Sequence, residues 1–382
     1  MSPHDDAAVA DRLARVALSA ISEPGDTRLA ALAAEIGATL LHAHLLAERD
    51  VSGLHTDLAA RLGAAEPERL LADAARQGVR FVTPTDAEWP AQLDALAGIS
   101  PIQERGGIPL GLWVRGPLRL DELSGAVAVV GSRSATTYGA DVAAEIAAIV
   151  GRTGRCIVSG AAFGIDQAAH RGAIAAGGPT IAVLACGADR VYPAAHHQLI
   201  EHIAAEGAVV SETAPGGAPT RIRFLSRNRL IAALTQGTVV VEAAVRSGAL
   251  NTANWASRLN RVLLGVPGPI TSAPSQGVHQ LIRTGAAALV TSGADVLEAV
   301  GTAGEHLVAT PRGRERPRDH LTPRQRQVLD AVPVAHSARA DSIARAAGVG
   351  LLEVGSALIK LEERELVEPD EGGWRLAARA HT

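Results

Sequence analysis

Between Arg221 and Arg229 the chain carries Arg221, Arg223, Arg227 and Arg229, four arginines inside nine positions, with Phe224 among them. From Glu212 to Glu242 no acidic residue intervenes. Guanidinium groups offer planar, forked donors that match phosphate oxygens, and a phenyl face can stack a nucleobase. The same residues also suit a solvated basic lead-in to the apolar helix expected over 230–234. The formal net charge of −4 sharpens the choice. On a mildly acidic body, any phosphate-binding site has to be a local patch, and this is the patch available.

Three further stretches offer related chemistry. Gly131-Ser132-Arg133-Ser134 follows an apolar run and precedes a helical period from Tyr138. Glycine allows close backbone approach there, amides and a hydroxyl can hold an anion, and Arg133 adds a cation. A purely structural strand-to-helix turn fits the same residues. Ser159 and Gly160, leading through Gly164 to Asp166, form a second such loop, with Asp166 expected to cap the helix or hold a neighbouring loop. The third runs from Glu242 through Arg246, Ser247, Gly248 and Asn251 to Thr252, where amides and hydroxyls open another helix. The candidate phosphate-binding set is therefore Gly131, Ser132, Arg133, Ser159, Gly160, Arg223, Phe224, Arg227, Asn228, Arg229, Ser247, Gly248 and Thr252. Tyr138, Phe163 and Tyr192 sit in or beside these loops, although aromatic residues make up only 2% of the chain.

Catalytic patterns are missing. There is no paired-carboxylate motif, no Ser-His-Asp spacing and no zinc-protease helix. A Walker loop is excluded because Lys360 is the only lysine. Neither a catalytic residue nor a cofactor nor a metal is expected. Phosphate capture without a nucleophile or metal points to binding rather than catalysis, with phosphate contact dominating affinity and giving strong salt dependence and little sequence preference.

The elements that must position these loops are legible in the apolar pattern. Short runs rich in β-branched residues begin near Val127, Cys156, Thr180, Ala208, Thr238, Val262 and Ala287, and stretches of helical period separate them. Continuous apolar strands alternating with helices predict an α/β fold, a doubly wound Rossmann-like domain with a mainly parallel sheet covered on both faces. In such sheets ligands bind beyond the carboxyl ends of the strands, where all four loops fall. Two strands around Phe81 and Trp113, separated by a turn at Trp89-Pro90, are expected at the edge of this domain.

Residues 1–78 read as a small helical, SAM-like module with breaks at Pro24-Gly25, 50–53 and Gly63. Its His42, His44 and His55 lack partners in a metal-ligand pattern. The Rossmann-like domain is expected over 79–300, a charged linker over 301–319, and three helices with a hairpin over 320–382, the order of a winged helix. That last segment carries eight basic residues against nine acidic ones. Its expected recognition helix, 351–363, has one cation and three glutamates, the wrong sign for reading a duplex groove. Protein contacts or weak duplex contacts are expected of it. Cys156 and Cys186 fall in apolar runs and are expected to be buried free thiols. With no signal sequence and no apolar run of the ~18 residues a membrane span needs, a cytoplasmic chain is expected, without membrane association.

Gly131-Ser132-Arg133 with Tyr138-Gly139, Ser159-Gly160 with Gly164-Ile165-Asp166, Gly187 and Asp189 with Tyr192-Pro193, Ser211-Glu212, Arg227-Asn228-Arg229, Glu242, Ser247-Gly248 with Thr252, and Pro267-Gly268 together resemble the DprA/Smf family in order and spacing. The resemblance covers about residues 80–300. It implies a homodimer that binds single-stranded DNA and loads the recombinase RecA onto it during natural transformation. By matching position, Arg133, Arg227 and Arg229 would hold phosphates and Phe224 would lie near a base. His196 and Leu225 depart from the pattern, where Asn and Pro are usual. Two other readings compete. A nucleotide phosphoribohydrolase of the lysine-decarboxylase-like group would need a Pro-Gly-Gly turn before Gly237-Thr238 and one residue fewer before Glu242. A winged-helix regulator sensing a nucleotide would need a more basic C-terminal module.

Overall fold

Residues alternate sides along a strand, so a strand apolar at every position has both faces covered. Val127–Val130 does this: Ala128 and Val130 enter one core, Val127 and Val129 another. In the computed structural model, which describes residues 3–47, 61–308 and 316–381, this strand is an interior strand of a nine-stranded sheet. The strands are β1 (Val79–Val82), β2 (Leu112–Arg115), β3 (Val127–Val130), β4 (Ile157–Ser159), β5 (Thr180–Val183), β6 (Ala208–Ser211), β7 (Gly237–Val240), β8 (Val262–Gly265) and β9 (Ala288–Leu289).

Their spatial order is β1-β2-β6-β5-β4-β3-β7-β8-β9. The chain winds outward from β3 through β4 and β5 to β6, then returns to lay β7 on the other side of β3. All pairings from β6 to β9 are parallel. β1 and β2 add an antiparallel edge beside β6, the position expected from the sequence. The order reverses between β3 and β7, and this switch point is where an open α/β sheet leaves a crevice.

Helices cover both faces. The N-terminal helices are α1 (Pro3–Ile21), α2 (Thr27–Ile36), α3 (Ala38–Leu46) and α4 (Pro67–Arg76). Those of the sheet region are α5 (Thr137–Arg152), α6 (Ile165–Ala175), α7 (His197–Glu206), α8 (Arg221–Ala233), α9 (Ala249–Arg258), α10 (Gln276–Arg283) and α11 (Gly293–Val300). Helices α8 and α9 pack on Ala128, Val130, Ile181 and Val240, whereas α5, α6 and α11 pack on the opposite face with Val127, Val129 and Val239. Helix α7 joins a third cluster with Phe81, Trp113 and Val209. Residues up to Val308 form one compact unit, the N-terminal helices included. His55 lies outside the described residues, as does the middle of the charged segment after Gly301.

The second unit, from Ala309, contains α12 (Pro323–Asp330), α13 (Ala340–Ala347) and α14 (Leu351–Glu362), followed by the antiparallel hairpin β10 (Val367–Asp370) and β11 (Gly373–Leu376). Val328, Ile343, Leu358 and Leu361 fill its core. Thr322 and Gln325 close a reciprocal cap on α12. Cys156 and Cys186 are buried free thiols. Among the described residues no single helix is long and apolar enough to cross a membrane.

Candidate nucleic-acid interface

Thr220 sets the geometry of the site. Its hydroxyl accepts the Arg223 amide and starts α8 at Arg221, so the arginine run is itself helical rather than a lead-in to a helix at Leu230. A helix turns about 100° per residue, which spreads neighbours in sequence around its circumference. Arg221, Phe224, Leu225, Arg227, Asn228 and Ile231 fall on one arc and line a cleft of about 750 Å³ at the carboxyl edge of the sheet. Arg223 and Arg229 fall outside it.

The cleft's opposite wall comes from the loops at the switch point: Gly131, Ser132, Arg133 and Ser134 after β3, and Arg246, Ser247, Gly248 and Thr252 after β7. The Arg133 guanidinium lies 4.6 Å from the centroid of the Phe224 ring, within cation–π range. Tyr192 also packs near Phe224, with ring centroids 5.8 Å apart. Arg133, Arg221 and Arg246 are exposed and make no ion pair among the described residues. Asn228 donates to the Asn251 side chain at 3.3 Å and holds α8 to α9.

Arg227 is the buried cation of the site. It is 6% exposed and donates from Nη1 to the Val183 carbonyl at 2.8 Å. Burial pushes its pKa down to about 10, the attraction of Asp166 opposes that, and repulsion from Arg133 adds to it. The group therefore stays charged at neutral pH. Asp166 accepts the Gly160 amide at 3.2 Å and the Ala162 amide at 3.4 Å, so it holds the neighbouring loop; burial raises its pKa against the pull of Arg227.

Four expected site residues have other work. Arg229 is fully buried and forms a two-pronged ion pair with Glu212 at 2.6 and 2.7 Å, with a further bond from Nε to the Gly107 carbonyl. Arg223 makes a two-pronged pair with Glu23, both bonds 2.8 Å long. Ser159 is buried and donates to the Val129 carbonyl at 2.6 Å. Gly160 faces the Arg227 guanidinium, and a Cβ there would collide with it. Its glycine makes room for an arginine, not for a ligand. Gly131 is similarly constrained, since a Cβ would press on Ile165 and on the Glu242 carbonyl. The Ser132 amide donates to that same carbonyl at 2.7 Å, which removes one of the amides expected to face an anion. Arg221 and Arg246, noted in the basic run and in the loop after Glu242 but left out of the candidate set, are both exposed and line the cleft. The helical phase of Arg221 relative to Phe224 and Asn228 is the signal that would have found the first.

Glu242 is 2% exposed and accepts from the Thr136 hydroxyl at 2.5 Å and the Thr136 amide at 3.0 Å, tying the end of β7 to the start of α5. His196, one of the two departures, is buried with Nδ1 2.9 Å from the Ala161 carbonyl, and so supports the loop after β4. Leu225, the other, forms cleft wall.

His170 is buried with Nδ1 2.7 Å from the Thr180 hydroxyl, and burial lowers its pKa to about 3. The unfolded chain takes up a proton near the ordinary value of 6.5 while the folded chain does not. His170 therefore costs no stability above about pH 6.5 and progressively destabilises the fold as pH falls from there toward 3. The slope for one such group is about 1.4 kcal/mol per pH unit. Urea midpoints of the His170→Gln variant should fall less steeply than wild type between about pH 6.5 and 4.5; parallel curves would show that the imidazole titrates freely.

The fold and the cleft define a Rossmann-like protein whose ligand edge gathers cations and an aromatic face at the sheet's switch point. The sequence profile of the DNA recombination-mediator protein A family matches residues 80–301. The chain belongs to that family. It is 43% identical to a chain of Mycobacterium tuberculosis (strain H37Rv) that carries the DprA name, over 94% of this chain and 92% of that one. The solved structure of DNA processing protein A from Streptococcus pneumoniae is similar at a TM-score of 0.61 and 32% identity, covering 75% of this chain and 96% of the other. DNA processing protein A from Helicobacter pylori, described for its single-stranded DNA binding mode, is similar at a TM-score of 0.51 and 26% identity, covering 58% of this chain and 96% of that one.

Proposed function

We propose that the chain grips single-stranded DNA along the cleft at the β3/β7 switch point and acts as a recombination mediator, loading RecA onto the bound strand in the cytoplasm during DNA uptake. The observation that carries this reading is the arrangement of Arg133, Arg221, Arg227 and Arg246 around Phe224 in one cleft. Phosphates meet cations and a base meets an aromatic ring, a combination suited to a flexible strand whose bases are free to stack. Family membership and the single-strand binding described for the Helicobacter pylori relative support it.

The bound form is proposed to be a homodimer, as the DprA/Smf resemblance implies, and the second unit is read as a winged helix. Its helix α14 leaves Leu351, Leu352 and Ile359 exposed and carries one lysine, which favours protein contacts over duplex reading. The phosphoribohydrolase reading would require a carboxylate free to act, and Glu242 is instead held by Thr136 outside the cleft wall.

Fluorescence anisotropy with a single strand and a duplex of equal length, across a salt series, tests the binding. The single strand should bind more tightly at every salt concentration, with log affinity falling linearly in log salt. Equal affinity for the duplex would overturn the reading. For the mediator role, RecA filament growth on a strand already coated by a single-strand-binding protein should quicken when the chain is added. An unchanged rate would remove that part of the proposal.

A further inference from the structure

Beside the main cleft, on the far side of Arg221, lies a second groove of about 660 Å³ lined by Glu23, Gln103, Thr220, Arg221, Ile222 and Leu225. Thr220, Arg221 and Leu225 belong to both walls, so the two depressions are continuous across the first turn of α8. We propose that the bound strand leaves the cleft over Arg221 and seats a nucleobase in this groove, against Ile222 and Leu225. The inference rests on the single-strand reading above and adds a base subsite to it.

The chemistry of the groove suits an uncharged planar ring. Ile222 is 42% exposed, more than any other large apolar residue of its helix, so part of its side chain is left to solvent on the groove wall. Glu23 would repel a phosphate, but both its oxygens are held by Arg223, and Arg105 and Arg61 add attraction around it. The carboxylate is thereby neutralised within the wall. Gln103 sits in a tight bend, with φ of 51° between the bridged residues Ile102 and Arg105, and brings an amide with both donor and acceptor to the rim. A polynucleotide alternates charge and ring along its length. Arg221 at the ridge takes the charge, and the apolar groove beyond it takes the ring.

The test uses the full chain, oligothymidylates of increasing length, and matched oligonucleotides carrying abasic sites toward one end or the other. Ile222→Ala should weaken binding of the longer oligothymidylates by about five- to tenfold. It should leave the salt slope unchanged, since every phosphate keeps its cation. The weakening should vanish on strands too short to cross Arg221 and on strands abasic at the end that enters the groove. Ile222→Leu should restore binding, and a urea midpoint matching wild type would show that Ile222→Ala is folded. Wild-type affinity of Ile222→Ala at every length, or an equal weakening on the abasic strands, would overturn the groove while leaving the cleft intact. A wild-type chain that fails to prefer single strands would instead sink the reading on which the groove rests.

Discussion

Replacing Arg229 with alanine is expected to destabilise the first unit by about 3–5 kcal/mol, because it strands the Glu212 carboxylate in a buried setting without its cation. Arg229 is fully buried, Glu212 accepts both of its terminal nitrogens, and the Gly25 amide is the other donor to that carboxylate. The urea midpoint, followed by far-ultraviolet circular dichroism, should drop sharply. Substituting both partners with apolar residues of similar volume should cost much less, since no charge is then left unpaired. The variant that remains folded should keep the wild-type salt slope for DNA. Unchanged stability together with diminished DNA affinity would return Arg229 to the ligand and refute the structural assignment.

The second large effect concerns the exposed cations of the cleft. Arg133, Arg221 and Arg246 are exposed and converge on one lining, so each can release a counterion when a phosphate binds. Each arginine withdrawn from a phosphate of a single strand should lower the slope of log affinity against log salt by about 0.7, and the triple alanine variant by about 2. Affinity at low salt should fall by on the order of a hundredfold or more. Arg223→Ala serves as the contrast: its guanidinium is paired with Glu23 and lies outside the cleft, so the slope should hold. A triple variant with the wild-type slope would show that the strand lies elsewhere.

The contrast between Arg221 and Arg229 also marks how far the sequence could be read. The parallel sheet was legible because both faces of every central strand are covered, leaving unbroken apolar runs such as Val127–Val130. The loops at the carboxyl edge followed from those runs, and Arg133, Phe224, Arg227 and Asn228 do line one cleft. The phase of α8 was not legible in the same way. Its continuous apolar stretch begins only at Leu230, while its first turns are dominated by arginines, so apolar periodicity marks a start where the charges end rather than at Arg221.

The partners that divert Arg223 and Arg229 are also remote: Glu23 lies 200 positions from Arg223, and Glu212 lies 17 from Arg229. Local charge density reports neither pairing. Thr220 was the available clue, since a threonine in extended backbone just before the run marks a helix start and would have fixed the phase. Ser159 ends β4 and Gly160 opens the loop after it, yet their chemistry is directed inward, toward Val129 and Arg227. Motif position along the chain locates a loop but not the direction its groups face.

The carboxylate of Glu23 has a bearing on how fragments of this chain would behave. A shortened chain beginning after the N-terminal helices would release the Arg223 guanidinium, which the Glu23 side chain now satisfies. One more liberated cation would then stand next to the DNA path, while Glu212 would be deprived of the donor it takes from Gly25. Such a truncate would be stickier toward any polyanion and frailer at the same time. Its tighter adsorption would measure an exposed wound, not the grip of the intact molecule.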